Sequence, residues 1–278
     1  MRVAIRARAR VGEGPVWDAA AGTLHWVDIL AGHLHTSDLA TGATRTRALP
    51  TLLGAAAPRA GGGFVAAVTE GFAEVGEDGM RVRRPVLPEG IRMNDAKCDP
   101  AGRFWAGSTA LDFAPGRGAL HVLEPDWSTR VVLDGLTQPN GLGWSPDGTT
   151  FYLVDTQERE LCAFTAGSLA GRRLVRRFGA DEVPDGLCVD AAGCLWVALW
   201  GGSRVLRLSP EGEVLTTLPV PAAQPTSCAF AGPGLDVLCV TSAREGLGLA
   251  DADPAPDGAV FTFRNVGAVG VPVARFAG

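Results

Sequence analysis

The stretch SPDGTTFYLVD at residues 145–155 places a tight turn immediately before an apolar strand. Pro146 has the fixed φ that suits the first central position of a type I turn, and Gly148 can take the positive φ needed afterwards. The run that follows the turn is rich in β-branched and aromatic residues, which favour strands. This stretch therefore predicts one arm of a β-hairpin.

Five further copies of this unit recur along the chain. They read AAAGTLHWVD at 19–28, RAGGGFVAAV at 59–68, DPAGRFWAGS at 99–108, DAAGCLWVAL at 190–199 and GPGLDVLCVT at 232–241. The turn glycines of the six copies lie 39 to 46 residues apart and are Gly22, Gly61, Gly102, Gly148, Gly193 and Gly234. Repeats of this period, built from hairpins, are typical of β-propellers.

Six such units use the whole chain of 278 residues, so we expect one all-β domain over 1–278, a six-bladed β-propeller. Trp26, Trp105 and Trp196 occupy matched strand positions and are expected to fill the wedges between blades. A β-sandwich is the structural alternative, but it does not explain six equivalent units.

Composition narrows the choice of partners. The chain is 46% hydrophobic and 20% charged, with a formal net charge of −5. Binding nucleic acid or an anionic membrane requires clustered basic residues, so neither partner is expected. No apolar stretch is long enough to span a bilayer, and none follows the basic N-terminus as a signal peptide would require. We therefore expect a cytoplasmic protein.

Several common catalytic signatures are missing from the sequence. The six cysteines show no CxxC or Cys/His spacing and are expected to be reduced and buried. No GxSxG motif is present, which makes a serine hydrolase a poor fit. The four histidines fall in strand or surface contexts, which gives a His-based triad little support.

A set of polar residues precedes the turns at a constant distance. Asn94, Asn140, Asp185 and Thr226 lie eight residues before a turn glycine, Glu13 lies nine before Gly22, and Leu53 holds the place in the second unit. In a closed propeller, equivalent positions fall on one circle around the axis, so these side chains are expected to converge. Carboxylate and amide oxygens suit a hard divalent cation, which predicts a metal site in the central channel. Asn and Asp before Gly are also ordinary turn formers, and this is the alternative interpretation.

The motifs together resemble one family over essentially the whole chain. GEGPVWD at 12–18, RMNDAKCDPAGRFWAGS at 92–108, QPNGLGWSPDGTTFYLVD at 138–155, VPDGLCVDAAGCLWVA at 183–198 and PTSCAF at 225–230 are similar to segments of the family containing senescence marker protein 30 (regucalcin) and bacterial gluconolactonases. The resemblance implies a six-bladed propeller that holds one divalent metal ion. It also implies hydrolysis of sugar lactones such as gluconolactone, xylonolactone or arabinolactone.

The resemblance implies roles for individual residues. The metal ligands fall on Glu13, Asn140 and Asp185. The residues that bind substrate hydroxyls fall on Arg92 and Asn94, and a further acidic contact falls on Asp112 by counting on from WAGS. The cation is Ca²⁺, Zn²⁺, Mn²⁺, Mg²⁺ or Fe²⁺, and the sequence leaves this choice and the oligomeric state open.

These residues predict metal-dependent hydrolysis of an aldonolactone to the aldonic acid. The metal would polarise the lactone carbonyl, and Asp185 is the candidate general base, with metal-activated water as the alternative. Arg92 could instead pair with Asp95 or Asp112 at the surface. Two non-enzymatic functions stay open: a calcium-binding regulatory protein without lactonase activity, and a propeller used as a protein-interaction platform.

Overall fold

The computed structural model describes residues 1–250 and 255–278. These residues form 24 β-strands in six four-stranded antiparallel sheets. The innermost strand of each sheet contacts the innermost strands of the sheets on either side, so the six sheets close into a ring around a central channel. The predicted six-bladed β-propeller is confirmed.

Each blade is built from strands that follow one another along the chain, with one exception. Strand β1 (Arg2–Ile5) precedes the first blade. The first three blades are β2 (Gly12–Asp18), β3 (Thr23–Asp28), β4 (His33–Ser37) and β5 (Thr44–Ala48); β6 (Leu53–Pro58), β7 (Phe64–Val68), β8 (Gly71–Gly76) and β9 (Gly79–Pro85); and β10 (Ile91–Cys98), β11 (Phe104–Ala110), β12 (Gly118–Leu123) and β13 (Thr129–Leu136).

The second half of the chain repeats this order. Its blades are β14 (Pro139–Trp144), β15 (Thr150–Asp155), β16 (Glu160–Thr165) and β17 (Arg173–Arg177); β18 (Val183–Val189), β19 (Leu195–Trp200), β20 (Arg204–Leu208) and β21 (Val214–Pro219); and β22 (Gln224–Ala231), β23 (Val237–Ala243) and β24 (Val260–Arg264). The sixth blade takes β1 as its outer strand, paired antiparallel with β24. The N-terminal strand thereby closes the ring and protects the outer edge of β24.

The inner strand of every blade has a register shift near its beginning. The shifts lie between Glu13 and Val16, Leu53 and Ala55, Met93 and Ala96, Pro139 and Leu142, Pro184 and Leu187, and Pro225 and Cys228. Irregularities of this kind re-aim side chains that a regular strand would alternate between its two faces. The predicted polar positions lie in or beside these bulges.

The turn glycines are confirmed in four of the six units. Gly22, Gly102, Gly148 and Gly193 have φ between 66° and 80°. In the second and sixth units the prediction was wrong, because the positive φ falls at Gly62 and Gly63 in the second unit and at Gly232 and Leu235 in the sixth, instead of Gly61 and Gly234. Consecutive or closely spaced glycines made the turn position ambiguous from sequence.

Because the turn of the second unit is one residue later than predicted, the residue of the second blade that matches the polar set is Gly54 and not Leu53. Leu53 pairs with Val68 before the bulge, as Pro139 pairs with Asp155 in the fourth blade. Gly54 therefore holds the position of Asn140, and Leu53 is fully buried in an apolar cluster with Val27 and Ile29. A side chain at Gly54 would collide with the backbone of β10, since its Cβ would lie 2.8 Å from the Met93 carbonyl oxygen.

The matched tryptophans fill the spaces between blades as predicted. Trp26, Trp105 and Trp196 are at most 1% exposed, and each packs against apolar residues of the adjacent blade. Their indole N–H groups donate to Ser37, Asp99 and Asp190 respectively, at 2.9 to 3.0 Å. These side chains thus combine burial of a large ring with a satisfied donor.

The segment after β24 crosses the end of the propeller where the inner strands finish. Backbone hydrogen bonds join it to the fifth and sixth blades through Val269 and Gly270, and to the second and third blades through Phe276 and Ala277. The Phe276 side chain is fully buried. This segment therefore ties opposite sides of the ring together.

Within the described residues, no helix is both long and apolar enough to cross a membrane. The cytoplasmic location and the lack of a nucleic-acid partner stay predictions.

Candidate functional site

The predicted polar residues lie where the inner strands begin, at the end of the channel opposite the C-terminal segment. Glu13, Asn94, Asn140 and Asp185 are each only 4 to 5% exposed. The amide of Asn140 donates to the Thr156 hydroxyl at 3.0 Å and to the Asp185 carboxylate. The structure thus brings together two of the three predicted metal ligands from adjacent blades.

Side chains of this set reach across to the next blade. Asn94 donates through Nδ2 to the Pro139 carbonyl at 3.1 Å, which joins the third and fourth blades. Thr226 donates to the Gly12 carbonyl and is 2.8 Å from the Thr241 hydroxyl, which joins the sixth blade to the first. Because its hydroxyl is engaged in these bonds, Thr226 serves to close the ring.

Glu13 and Asp185 share one enclosed electrostatic environment. Burial raises the pKa of Glu13 well above its usual range, and the negative charges of Asp185 and Asp95 raise it further. Burial likewise raises the pKa of Asp185, with a second contribution from Asp95. Glu13 accepts a hydrogen bond from its neighbour's backbone, Gly14 N–H, at 2.7 Å. Like charges in one buried site disfavour the ionisation of both groups, and a cation placed between them would oppose that effect.

Arg92 points into the site and not toward the surface. Its Nη1 donates to Asn94 Oδ1 and to the Met93 carbonyl, both at 2.9 Å. Burial lowers the pKa of Arg92, while the charges of Glu13 and Asp185 oppose that effect. Among the described residues Arg92 forms no ion pair with Asp95 or Asp112, the two alternatives, and its positive charge faces Glu13 and Asp185.

Asp95 is a member of this site that the sequence reasoning missed. It is 4% exposed, and its Oδ1 accepts the Ala96 N–H at 2.7 Å. Its Oδ2 is buried and has no hydrogen-bond partner within the described residues. Burial raises the pKa of Asp95, and the ammonium of Lys97 opposes the shift. The signal was its place beside Asn94, since adjacent residues of a bulge can share one face.

Lys97 is the chain's single lysine and lies farther along the same strand. Its ammonium donates to the Leu187 carbonyl at 2.7 Å. Lys97 and Arg92 are the two positive groups of the site, and Glu13, Asp95 and Asp185 are its three buried carboxylates. Without a further cation, the enclosed site carries an excess of one negative charge when all five groups are ionised.

Asp112 lies apart from the buried set. It is exposed in the connection between β11 and β12, and its Oδ1 accepts the Ala114 N–H at 3.1 Å. The connection is at the same end of the propeller as the site, because Ala110 at the end of β11 pairs with Ile91 at the start of β10. Asp112 is thus at the rim, in a loop that could face a bound substrate.

The donor set fits a hard divalent cation. Three buried carboxylates, one of them with an unpartnered oxygen, and a neighbouring amide provide oxygen ligands of the kind preferred by Ca²⁺, Mg²⁺ and Mn²⁺. Within residues 1–250 and 255–278, no three His, Cys, Asp or Glu side chains are arranged as a ready-made metal cluster. The predicted ligand set contains only two such side chains, Glu13 and Asp185, with the amide of Asn140 as the third.

Comparison with known proteins gives a match over most of the chain. Residues 11–244 match the family model described as the SMP-30/Gluconolactonase/LRE-like region. Regucalcin of Oryctolagus cuniculus is 35% identical over 283 residues, covering 96% of this chain and 95% of that protein. A Bacillus subtilis protein named "Putative sugar lactone lactonase YvrE" is 35% identical over 248 residues, covering 86% of this chain and 85% of that protein.

The fold has a close counterpart among solved structures. A calcium-binding protein, regucalcin, from Agrobacterium tumefaciens superimposes with a TM-score of 0.88 at 29% identity. The match covers 99% of this chain and 96% of the other. The correspondence in fold and sequence therefore extends over the blades that carry the buried acidic site.

Proposed function

We propose that this chain, which belongs to the SMP-30/gluconolactonase family, hydrolyses a sugar lactone with one divalent cation held by Glu13, Asn140 and Asp185. The observation that carries the proposal is the buried excess of carboxylates beside a guanidinium at one end of the channel. A site of this charge favours binding of a cation and has donors ready for a polar substrate.

The cation would supply Lewis-acid polarisation of the lactone carbonyl when it is bound. Glu13 and Asp185 neutralise its charge as direct ligands, and Asn140 contributes its amide oxygen. Asp95 adds a third negative charge close by, so it strengthens cation binding from beside Asn94. Lys97 limits that effect by partly neutralising Asp95.

Arg92 and Asn94 are proposed to bind sugar hydroxyls. Their mutual hydrogen bond holds the guanidinium and the amide in one orientation. The other N–H groups of Arg92 stay available to a substrate, and the Asn94 amide is fixed by its bond to Pro139 of the next blade. A site built around such groups loses affinity for substrates without hydroxyls, since its own polar atoms then stay unpaired. This favours aldonolactones over simple aryl esters. Asp112 at the rim is a further candidate contact.

Asp185 is proposed to accept the proton of the attacking water. Burial raises the pKa of Asp185 in the metal-free site, whereas a bound cation would lower it, so its role as a ligand opposes its role as a base. The water oxygen bonds to the lactone carbonyl carbon, and the bond from that carbon to the ring oxygen breaks. The proton held by Asp185 passes to the leaving ring oxygen, which gives the open-chain hydroxy acid.

The second candidate is a calcium-binding regulatory protein without turnover. The Agrobacterium tumefaciens relative is described as a calcium-binding protein, and the same acidic site would bind calcium here. The two functions share the ligand set and differ only in whether a lactone is opened.

Initial rates of acid release from a panel of aldonolactones separate the two. The protein is stripped with chelator and reloaded with Ca²⁺, Mn²⁺, Mg²⁺, Zn²⁺ or Fe²⁺ at mildly acidic pH, with Asp185→Asn as the matched control. We expect at least one metal to restore turnover in the parent and not in the variant. Tight calcium binding with no lactone opened above the buffer rate would replace the enzyme proposal with the regulatory one.

A further inference from the structure

Two thiols touch at the wall of the channel, away from the acidic site. Cys188 on β18 and Cys228 on β22 have their Sγ atoms 3.6 Å apart. The strands belong to the fifth and sixth blades, and the cysteines are 40 residues apart in sequence. We propose that this pair is an oxidation site, at which a hydroperoxide converts the two thiols into a disulfide joining the inner strands of these blades.

The backbone beside the pair is close enough for a disulfide. Two residues before Cys188, a Cβ added to Gly186 would lie 2.7 Å from the Cα of Ser227, the residue before Cys228. The two inner strands are thus in direct contact beside the pair, and a disulfide requires such an approach, with Cα atoms about 4.4 to 6.8 Å apart. Cys228 Sγ also lies 3.3 Å from the carbonyl of Trp196, which is paired with Cys188 in the sheet. For the bond to form, the two sulfur atoms must approach from 3.6 Å to about 2.05 Å.

A small oxidant has a route to Cys188. A cavity of about 290 Å³ lies where the inner strands finish, bounded by the C-terminal segment around Val271 and Val273. Cys188 lines this cavity and is 8% exposed, whereas Cys228 is 1% exposed behind it. A hydroperoxide is small enough for such a space, so Cys188 is the thiol that meets it first.

The chemistry assigns the two cysteines different parts. Cys188 attacks the peroxide as its thiolate, which breaks the O–O bond and yields a sulfenic acid and one molecule of water or alcohol. Cys228 then attacks the sulfenic sulfur, which forms the disulfide and releases water. Burial raises the pKa of Cys228 well above its usual range, and the adjacent thiol of Cys188 adds to this. Its thiolate is therefore scarce, so the second attack depends on the contact of Cys228 with Cys188, which holds the two sulfur atoms together.

Cys98 provides an internal control. It lines the same cavity, so an oxidant that reaches Cys188 also reaches Cys98. Burial raises its pKa, however, and within the described residues no sulfur is found in contact with it. A disulfide between Cys188 and Cys228 thus depends on their contact and not on access alone.

The test is to treat the native protein with hydrogen peroxide, alkylate it under denaturing conditions and map its peptides without reduction. We expect the count of alkylated cysteines to fall from six to four, with one cross-linked peptide pair containing Cys188 and Cys228. The variant Cys98→Ser should give the same cross-link. Cys228→Ser should give none and should accumulate a Cys188 sulfenic acid that dimedone traps.

Two results would overturn the proposal. One is the loss of thiols at Cys98 and elsewhere at the same rate, with no cross-linked pair. The other is a cross-link that forms only when the protein is unfolded before oxidation, since the native contact would then be irrelevant. Circular dichroism of each variant before treatment shows whether it is folded, and the parent alone decides the outcome if a variant is not.

Discussion

The inner strands of the third and fifth blades each have one buried aspartate near the start and one just after the end. The two positions differ in how many hydrogen-bond and charge partners the carboxylate has. Asp99 and Asp190 lie at the turn that follows the strand, whereas Asp95 and Asp185 lie in the bulge near its start. Asp190 accepts hydrogen bonds from two backbone N–H groups, from Trp196 and from Arg207. Asp95 has one acceptor oxygen with no partner in the described part of the chain.

The contrast shows that burial alone does not mark a functional carboxylate. Asp190 is fully buried, yet its charge is matched by Arg207 at 2.8 Å and its lone pairs are used. Asp95, Asp185 and Glu13 are also buried, but Asp185 and Asp95 raise the pKa of Glu13, Asp95 raises that of Asp185, and the three carboxylates exceed the positive charge that faces them. An unmatched cluster of this kind costs folding free energy, and such costs are concentrated at binding sites.

The strongest test of the contrast is to neutralise one acidic group at the bulge end. In Glu13→Gln or Asp185→Asn, removing one ligand charge should weaken metal binding sharply and lower lactone turnover on the order of 10³-fold. Metal titration and initial rates measure the two effects. Near-parental turnover at low metal concentration would show that these side chains are not the ligands.

The same exchange at the turn end should act on stability instead. Asp190→Asn places an amide N–H against the donors of Trp196 and Arg207, so we expect a loss of about 3 kcal/mol in the free energy of unfolding. Urea denaturation measures this, with exposed Asp126→Asn as a control of small effect. Turnover per folded molecule should be retained, and its loss would erase the distinction between the two ends.

A smaller effect is expected at the residues assigned to substrate. Arg92→Ala and Asn94→Ala should raise KM or lower kcat by about 10- to 100-fold. This is the effect expected from the loss of one or two hydrogen bonds to a charged or buried partner. Elemental analysis should find the metal still bound. If either variant is isolated without metal under conditions that load the parent, then that residue is a ligand.

The pH dependence of the metal-free protein sharpens the electrostatic argument. The native pKa of Glu13 is raised above its unfolded value, so its contribution to stability is present below about pH 4 and is lost as the pH rises through the native pKa. Glu13→Gln removes this titration. Its free energy of unfolding in chelator should therefore fall less than that of the parent between pH 4 and neutrality. Parallel curves from urea titrations would contradict the assignment.

The smallest effect is expected at the rim. Asp112→Ala removes an exposed side chain with no contact to the buried site, so KM for an aldonolactone should change only about threefold. The comparison is made on the same lactone as for Arg92→Ala. A change as large as that of Arg92→Ala would show that the loop closes over the substrate and that Asp112 holds it.

Much of the fold was predictable because its information is local. Turn chemistry such as SPDG and the apolar run after it identify each hairpin without reference to the rest of the chain. The error at Leu53 was also local, since three consecutive glycines at 61–63 hid which one takes the turn position. One residue of error moves the side chain from the channel to the core, because successive residues of a strand face opposite sides.

The sequence by itself determined six hairpin units and the chemical types that would meet at one end of them. Only the tertiary structure decided which groups are unmatched, because charge balance and burial depend on side chains that the closed ring brings together from blades about forty residues apart. Asp95 became part of the site through its orphaned oxygen and its effect on Glu13 and Asp185. Cys188 and Cys228 became a pair through the approach of two inner strands. The position of Asp95 beside Asn94 is local, but the charge imbalance and the thiol contact are set by packing between blades.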